Sequence, residues 1–499
     1  MKLPIFIENI IEKLEQGGFE ACVVGGCVRD LLMERGPKDW DITTNAKPEQ
    51  ILKIFDDGRY ENVFGTVIIP IKNEAGEIEE NVEVTTYRSE QGYSDRRHPD
   101  KIEFETELEK DLSRRDFTIN AMALKLKVKS HCPEYSHGEK LKVKEKYEHE
   151  IIDLFGGQKD IKHKIIRAVG EPEDRFREDA LRMMRAIRLA CQLNFILEPK
   201  TARGILKTAG GIKFVSAERI RDELVKILES NQPGEGFDLL SQAKLLQYIL
   251  PELERGAGVE QARHHVDTVF RHSILTLKHC SSLDWRVRLA ALLHDVAKPQ
   301  TKQIINGIAT FYNHDFLGAK ITQKIMRRLR FSSDDTEKIV TLVKNHMFYY
   351  NVGEVTESSV RRLIVKVGKE NLKDLIELRV ADRLGSGVPK AKPYKLRHLE
   401  YLMEKVQKDP LSVKMLKING DDLIVLLKIE PGVKIGAILD VLLSEVIDDP
   451  ELNNKEYLEK RSLKLNEMDL AQLRHQARGK IEDEKIKKDQ KIKRRFYVK

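Results

Sequence analysis

The period of the apolar residues changes once along this chain, and that change sets its fold class. Between about residues 20 and 125 the apolar runs are short, rich in β-branched residues and bounded by turn signals: ACVV, DITT, TVIIPI, NVEVTTY and KIEFE. Beyond about residue 160 the strand pattern stops. Stretches such as EDALRMMRAIRLACQL, AERIRDELVKILES and DWRVRLAALLHDVAK repeat their apolar residues at helical spacing. Strands first and helices afterwards predict an α+β chain, a small mixed-sheet head on an all-helical body. At 499 residues it exceeds a single core. The expected divisions are a head over 1–160, a helical neck over 161–255, a histidine-bearing segment over 256–390 and a helical tail over 391–499. The last boundary falls at GVPKAKPYK, where two prolines break the pattern.

Five cysteines at 22, 27, 132, 191 and 280 form no C-x-x-C pair, which argues for a reducing compartment over a disulfide framework. The N-terminal MKLPIFIENIIEKLEQGG reads as an amphipathic helix ending at Gly17-Gly18 and lacks the pattern of a signal peptide. No apolar run approaches the roughly 20 residues needed to span a bilayer. A soluble cytoplasmic protein without a membrane partner is expected, and nothing in the pattern specifies an oligomeric state. The net charge of +7 is modest, but the last twenty residues hold nine Lys/Arg against four Asp/Glu. Such a tail is either a solvated end or a basic arm for phosphates. His131, Cys132 and His137 sit in a polar, lysine-rich excursion over 127–150 whose loop-like surroundings do not favour a metal site.

The chemistry begins at GGCVRDLLMERGPKDWDITT. A strand, a glycine turn and a helix start aim backbone N–H groups at one point, which suits an anion; Gly25 and Gly26 let it approach and Arg29 adds a charged fork. Alone, the stretch is equally satisfied by a structural turn. Asp39 and Asp41 weigh against that. Two residues apart in an extended segment, they project from one face, roughly 6.6 Å apart. Paired carboxylates of this kind suit Mg²⁺, which completes its shell with water and phosphate oxygens. LSRRDFTINAMAL then sets Arg114 and Arg115 ahead of an expected apolar helix, with Asp116 able to cap it or pair with them. In FREDALRMMRAIRLA, Asp179, Arg182, Arg185 and Arg188 recur every third residue on an expected helix. The stripe is either a salt-bridged face or a set of donors and acceptors for phosphate and a base edge.

The order GG-x-V-R-D, D-x-D, RRDFTINAMA, D-x-x-x-G, EDxLRxxRxxR and ERIRDEL (218–224) resembles the class II tRNA nucleotidyltransferases, the CCA-adding enzymes and bacterial poly(A) polymerases of the polymerase β superfamily. The resemblance covers about residues 20–230 in register and weakens to about 460. It implies template-independent addition of CCA to the 3′ end of tRNA from CTP and ATP, with release of pyrophosphate. Gly25, Gly26 and Arg29 would bind the triphosphate, and Asp39 and Asp41 would hold two Mg²⁺ ions. Arg115 would contact the nucleotide, Asp179 and Arg182 would read the base edge, and Arg185 and Arg188 would add nucleotide contacts. Glu83 would support the two aspartates. RSEQGYSDRRHPDKIEF (88–104) matches the family's flexible loop, which favours full CCA addition over CC-only or A-only addition. Poly(A) polymerase shares the head motifs and is the nearest alternative.

Downstream, FRHSILTL, LLHDVAKP, YNHDFLGA, KNHMF and VADRLGSG supply histidines and aspartates that resemble the HD phosphohydrolases. The ligands would be His272, His294, Asp295 and Asp382, around a divalent transition metal, with His294-Asp295 expected on an apolar helix. A metal phosphohydrolase whose head only binds RNA is the alternative from another class; a helical module retained for tRNA contact is the other reading of this segment. LKINGDDLIVLLKIEPGVKIGAILDVLL resembles the family's tail, with P-G-V-K-I-G opening a helix.

Overall fold

The computed structural model describes residues 3–62, 65–73, 75–92, 101–128, 147–261, 267–388, 390–407, 416–473 and 489–498. His131, Cys132, His137 and the middle of the 88–104 loop lie outside the described residues. The chain divides into two units, residues 1–344 with 384–387, and residues 345–383 with 388–499.

The first unit opens with the head. Its strands are β1 (Ala21–Val24), β2 (Asp41–Thr44), β3 (Arg59–Asn62), β4 (Thr66–Lys72), β5 (Ile78–Thr86), β6 (Arg88–Gln91), β7 (Lys101–Phe104), β8 (Met122–Val128) and β9 (Tyr147–Asp153). Seven of them form one sheet in the order β3-β4-β5-β2-β1-β8-β9. Only β2 and β5 run parallel, with Asp41 opposite Glu83; the other pairs are antiparallel. β6 and β7 make a separate hairpin at the ends of the 88–104 loop.

The alternation of β1 explains why all four of its residues are buried. Ala21 and Val23 join a core with Ile7, Ile11 and Leu14 of α1 (Ile5–Gln16) and Val28 of α2 (Gly26–Leu32). Cys22 and Val24 face the opposite side, against Leu112 and Ala123. Ile51 of α3 (Pro48–Ile54) completes the first core. The remaining head helices are α4 (Leu108–Ser113) and α5 (Gly157–His163).

Two expectations are corrected here. The segment after Arg115 is not a helix: a single 3₁₀ turn (Thr118–Asn120) leads into β8. Met122, Leu124 and Leu126 alternate into the core, so sheet pairing overrides the helix preference of Ala, Met and Leu. Nor do strands end at the head. A short parallel pair, β10 (Ile165–Ile166) with β11 (Ile196–Leu197), and a hairpin, β12 (Gln303–Ile305) with β13 (Ile308–Thr310), lie within the helical part.

The neck helices are α6 (Pro172–Glu178), α7 (Leu181–Leu193), α8 (Pro199–Thr208) and α9 (Ala217–Leu228). α7 buries Met183, Met184, Ile187 and Leu193, so its arginines are confined to the remaining face. The unit continues through helices Val269–His279, Trp285–Leu293 and His314–Arg328.

The second unit is helical. Its core gathers Leu423, Ile438, Leu442, Leu458 and Leu465 from helices Gly420–Leu427, Val433–Asp448 and Lys455–Asn466. Asn419 caps the first of these, accepting from the backbone N–H of Asp421 at 2.8 Å and of Asp422 at 3.0 Å. Gly432 of P-G-V-K-I-G sits at the helix entry, as expected. Among the described residues, no helix is long and apolar enough to cross a membrane.

Candidate active site

The glycine turn is built on backbone geometry only glycine holds easily. Gly25 has φ +88° and ψ −138°, and its N–H donates to the Met122 carbonyl at 3.3 Å. A Cβ there would lie 3.1 Å from Arg115 Nη1 and 3.4 Å from Asp41 Oδ2. The turn is therefore where β1, β2 and the arginine after α4 come closest. Gly25→Ala should strain the backbone by about 1–3 kcal/mol. It should also push Arg115 and Asp41 off position, lowering the affinity of the turn for a phosphate-bearing ligand about tenfold or more. A ligand titration beside a thermal melt checks this.

A cavity of about 260 Å³ opens in front of the turn, lined by Gly25, Gly26, Arg29, Asp41, Arg115, Asp116, Asn120, Arg185, Arg188, Leu189 and Gln192. Six of the predicted head and neck residues thus meet Asp41 at one place. Asp39, exposed just ahead of β2, and Asp179 and Arg182 are not among the lining residues. A larger groove of about 810 Å³, lined by Leu3, Ile5, Leu31, Leu32 and Trp40, is mainly apolar and includes none of the predicted site residues.

The carboxylates carry excess negative charge. Burial pushes the Asp41 carboxyl up, Arg115 pulls it back, and Asp39 pushes it up again. Burial likewise raises Glu83, reinforced by Asp41, Glu61 and Asp39. Oxygen donors that are desolvated and mutually repelling are the set a hard divalent cation relieves. Asp41 and Glu83 meet that description, while Asp39 is exposed and adds its charge to both.

The arginines are braced by acids, of which the sequence reading had named Asp116 but not Asp111. Asp111, fully buried, accepts from Arg114 Nη2 at 2.7 Å and from Arg115 Nη2 at 3.2 Å. Its i, i+3 and i, i+4 spacing to the two arginines was the available signal. Asp116 pairs with Arg185 at 2.8 Å, not with its neighbours Arg114 and Arg115, and accepts from the Phe117 N–H. Arg29 is held by Asp30 and by Asn120, whose Oδ1 accepts from Nη1 at 2.8 Å. Asn120 had no local signal, because its role depends on a contact with α2, far from it in sequence. Arg188 Nε lies 3.0 Å from Glu223.

Asp179 is not on the arginine helix. It has φ −138° and ψ 106°, between α6 and α7, and its Oδ1 accepts from the Leu181 N–H at 3.0 Å. A short carboxylate capping the first free N–H groups competes with helix continuation, which breaks the expected stripe. Arg182, in the first turn of α7, pairs with Glu178 and donates to the Arg114 carbonyl at 3.4 Å.

The first unit also gathers part of the predicted metal set. His272 Nε2 lies 3.1 Å from His294 Nε2 and 3.3 Å from Asp295 Oδ2, with His294 Nε2 3.1 Å from the same oxygen. His294 Nδ1 donates to the Ala291 carbonyl at 2.8 Å, which leaves its Nε2 lone pair facing this point. Lone pairs converging at such distances fit a bound cation. His314 Nε2 joins at 3.4 Å from Asp295 Oδ1, and Lys298 Nζ lies 2.7 Å from Oδ2. Burial would raise the Asp295 carboxyl, yet His294 and Lys298 hold it well below the usual range. His294 and Asp295 sit in a turn after helix Trp285–Leu293, not on it, which frees both side chains to point inward. Asp382 belongs to the second unit, on helix Leu372–Gly385, where Arg379 Nη1 donates to it at 2.7 Å.

Three family models match the chain in succession. Residues 21–167 match the poly A polymerase head domain, 194–256 the probable RNA and SrmB-binding site of polymerase A, and 269–386 the HD domain. The CCA-adding enzyme of Ligilactobacillus salivarius is 32% identical over 458 residues, 92% of this chain and 96% of that one. The chain belongs to the tRNA nucleotidyltransferase and poly(A) polymerase family. A CCA-adding enzyme of Lactobacillus helveticus is 43% identical over 252 residues, so the chain spans about half the length of such nearer relatives (50% of this chain, 56% of that one). An A-adding tRNA nucleotidyltransferase of Deinococcus radiodurans is 34% identical over 67% of this chain and 74% of that one. The fold agrees with the family. The Bacillus stearothermophilus CCA-adding enzyme in complex with CTP superposes at TM-score 0.57, with 26% identity, over 94% of this chain and 98% of that one.

Proposed function

We propose that this chain adds C, C and A, without a template, to the 3′ end of tRNA, using CTP and ATP and releasing pyrophosphate. The convergence of the glycine turn, Asp41, Arg115, Arg185 and Arg188 on one cavity carries this reading. Gly25 and Gly26 admit the triphosphate close to the backbone, while Arg29 and Arg115 supply fixed forks for its oxygens. Each fork is pre-oriented by a carboxylate or amide, so little order is lost when phosphate arrives. Asp39 and Asp41, with Glu83 beside them, would hold two Mg²⁺ ions, which when bound activate the RNA 3′-hydroxyl and stabilise the leaving pyrophosphate. Asp179 and Arg182 would offer an acceptor and donors to the base, doing the work of a template strand. RNA contact would fall to the neck, 161–255, and the tail, 391–499, reading shape and backbone.

The A-adding relative from Deinococcus radiodurans favours a second reading, addition of the terminal A alone. The likeness of the 88–104 segment to the family's flexible loop favours the full reaction. The histidine cluster supports a further role for the HD region, in which His272, His294 and Asp295 hold a divalent transition metal for phosphoester hydrolysis.

One assay separates the first readings. A tRNA lacking its last three nucleotides should gain two C from CTP alone, nothing from ATP alone, and CCA from both. Extension only of a tRNA ending in CC, by a single A, would show the A-adding activity. Long A tails from ATP alone would show a poly(A) polymerase.

A further inference from the structure

The basic C-terminal stretch enters none of the roles above by its own residues. It lies beyond about residue 460, to which the resemblance of the sequence extends, and residues 489–498 (DQKIKRRFYV) hold four cations against one acid. They are not a frayed end. Residues 489–495 are helical and pack on helix Tyr394–Gln407 of the same unit. The Tyr401 hydroxyl donates to Asp489, which also pairs with Lys405 at 3.3 Å. Arg495 Nη1 lies 2.9 and 3.1 Å from the two Glu404 oxygens. Lys493 turns back over the Tyr401 ring, 5.9 Å from its centre, and Val498 is buried.

This seating fixes what is left facing water. Lys491 and Arg494, one turn apart, are exposed, and among the described residues no acid pairs with either. The Arg495 side chain beside them is 67% exposed despite its ion pair. Like charges at this spacing repel, so an anion lying across them is favoured. Tyr497 ends the helix at φ +51°, in the left-handed region, while the Val498 N–H closes back on the Lys493 carbonyl at 3.0 Å. Glycine is the usual residue at such a helix end, and a tyrosine that is 78% exposed gains little from packing there. A nucleic-acid backbone carrying an unpaired base satisfies both features: the cations take its phosphates, and the ring offers a face for stacking. A lipid surface is a poorer match, because Val498 is buried and Ile492 half-buried, which leaves little apolar face to insert.

We propose that residues 489–498 form an RNA-docking clip, in which Lys491, Arg494 and Arg495 hold backbone phosphates and Tyr497 stacks on an unpaired base. The inference rests on the reading of tRNA as the substrate, and the test keeps the two apart. Binding of a tRNA lacking its 3′ CCA is measured across a range of salt concentration. The proteins are the full chain, its Lys491→Gln/Arg494→Gln double variant and its Tyr497→Gly variant. Thermal melts, CCA addition by the unaltered chain and binding to phosphatidylglycerol vesicles are measured alongside.

The double variant should bind about fivefold more weakly at low salt, and the slope of log Kd against log salt should fall by about 1.5, as two lost phosphate contacts require. Tyr497→Gly should weaken binding about tenfold and leave that slope unchanged, as the loss of one stacked base requires. Glycine suits the left-handed turn, so this variant should melt no earlier than the unaltered chain, and its lost affinity cannot be laid to unfolding. An unchanged Kd in either variant would overturn the proposal. Vesicle binding that both variants lose, with tRNA binding intact, would give the segment to a membrane and also overturn it. If the unaltered chain neither binds nor extends the tRNA, the reading of its function fails and takes this inference with it. If it does both and the variants match it, only the role of residues 489–498 is wrong.

Discussion

Replacing Asp39 and Asp41 together with alanine should reduce CMP transfer by at least about 1000-fold and leave the fold intact. Asp41 opens β2, faces Gly25 across the turn and sits opposite Glu83 in the parallel pair. Asp39 precedes it by two residues and is exposed. Neither carboxylate holds the head together: burial and mutual repulsion already push Asp41 up. Removing that charge should leave the melting temperature of the metal-free protein unchanged or higher, so lost activity cannot be laid to unfolding. The measurement is single-turnover transfer at saturating CTP and Mg²⁺, onto a tRNA without its 3′ end, with a thermal melt alongside. A rate within tenfold of the unaltered chain would remove the metal role from both residues.

What the sequence made legible about the site was whatever depended on short range. Gly25, Gly26 and Asp41 are separated by one helix and one loop, so their meeting followed from strand, turn and helix in succession. Arg185 and Arg188 were found because helical spacing put them on the polar face of α7. The failures share another cause. Asp179 fits the stripe in spacing, yet a carboxylate at a helix start satisfies free N–H groups better than it extends the helix. AMALKLKV carries both the composition of a helix and the alternation of a strand, and pairing with β1 and β9 decides between them. Glu223 and Asn120 act through contacts between distant elements, for which no local spacing exists.

Those distant contacts converge on a division of labour within the site. Each arginine proposed to contact the nucleotide is itself braced by an acid or an amide: Asp111 for Arg115, Asn120 for Arg29, Asp116 for Arg185, Glu223 for Arg188. Each pairing fixes the plane of a guanidinium while the cavity is empty, and the carboxylates among them also neutralise its charge. The cost of gathering several cations around one cavity is thereby met before any triphosphate arrives.

Asp111 bears the largest share of this support, so its removal should be the most damaging to stability. It is fully buried and also receives Arg114 Nε at 3.0 Å and the Thr43 hydroxyl at 3.3 Å. Asp111→Asn keeps the size but removes the buried carboxylate that pairs with Arg114 and Arg115, both largely buried. The expected cost is about 3 kcal/mol at neutral pH, the range for breaking a buried ion pair from one side. Burial alone would raise the Asp111 carboxyl, but Arg114 and Arg115 outweigh it and hold the group below its ordinary value. A carboxylate lowered on folding contributes stability above its unfolded pKa of about 3.9, and that contribution is lost as pH falls through the folded value. Urea titrations should therefore show the unaltered chain well ahead of Asp111→Asn at pH 7, with the gap narrowing as pH drops below about 4. At neutral pH the folded variant should also bind CTP more weakly, because Arg115 has lost the partner that aims it at the turn. Equal stability of the two proteins across the pH range would show that the two arginines find other partners, and that the site does not depend on Asp111.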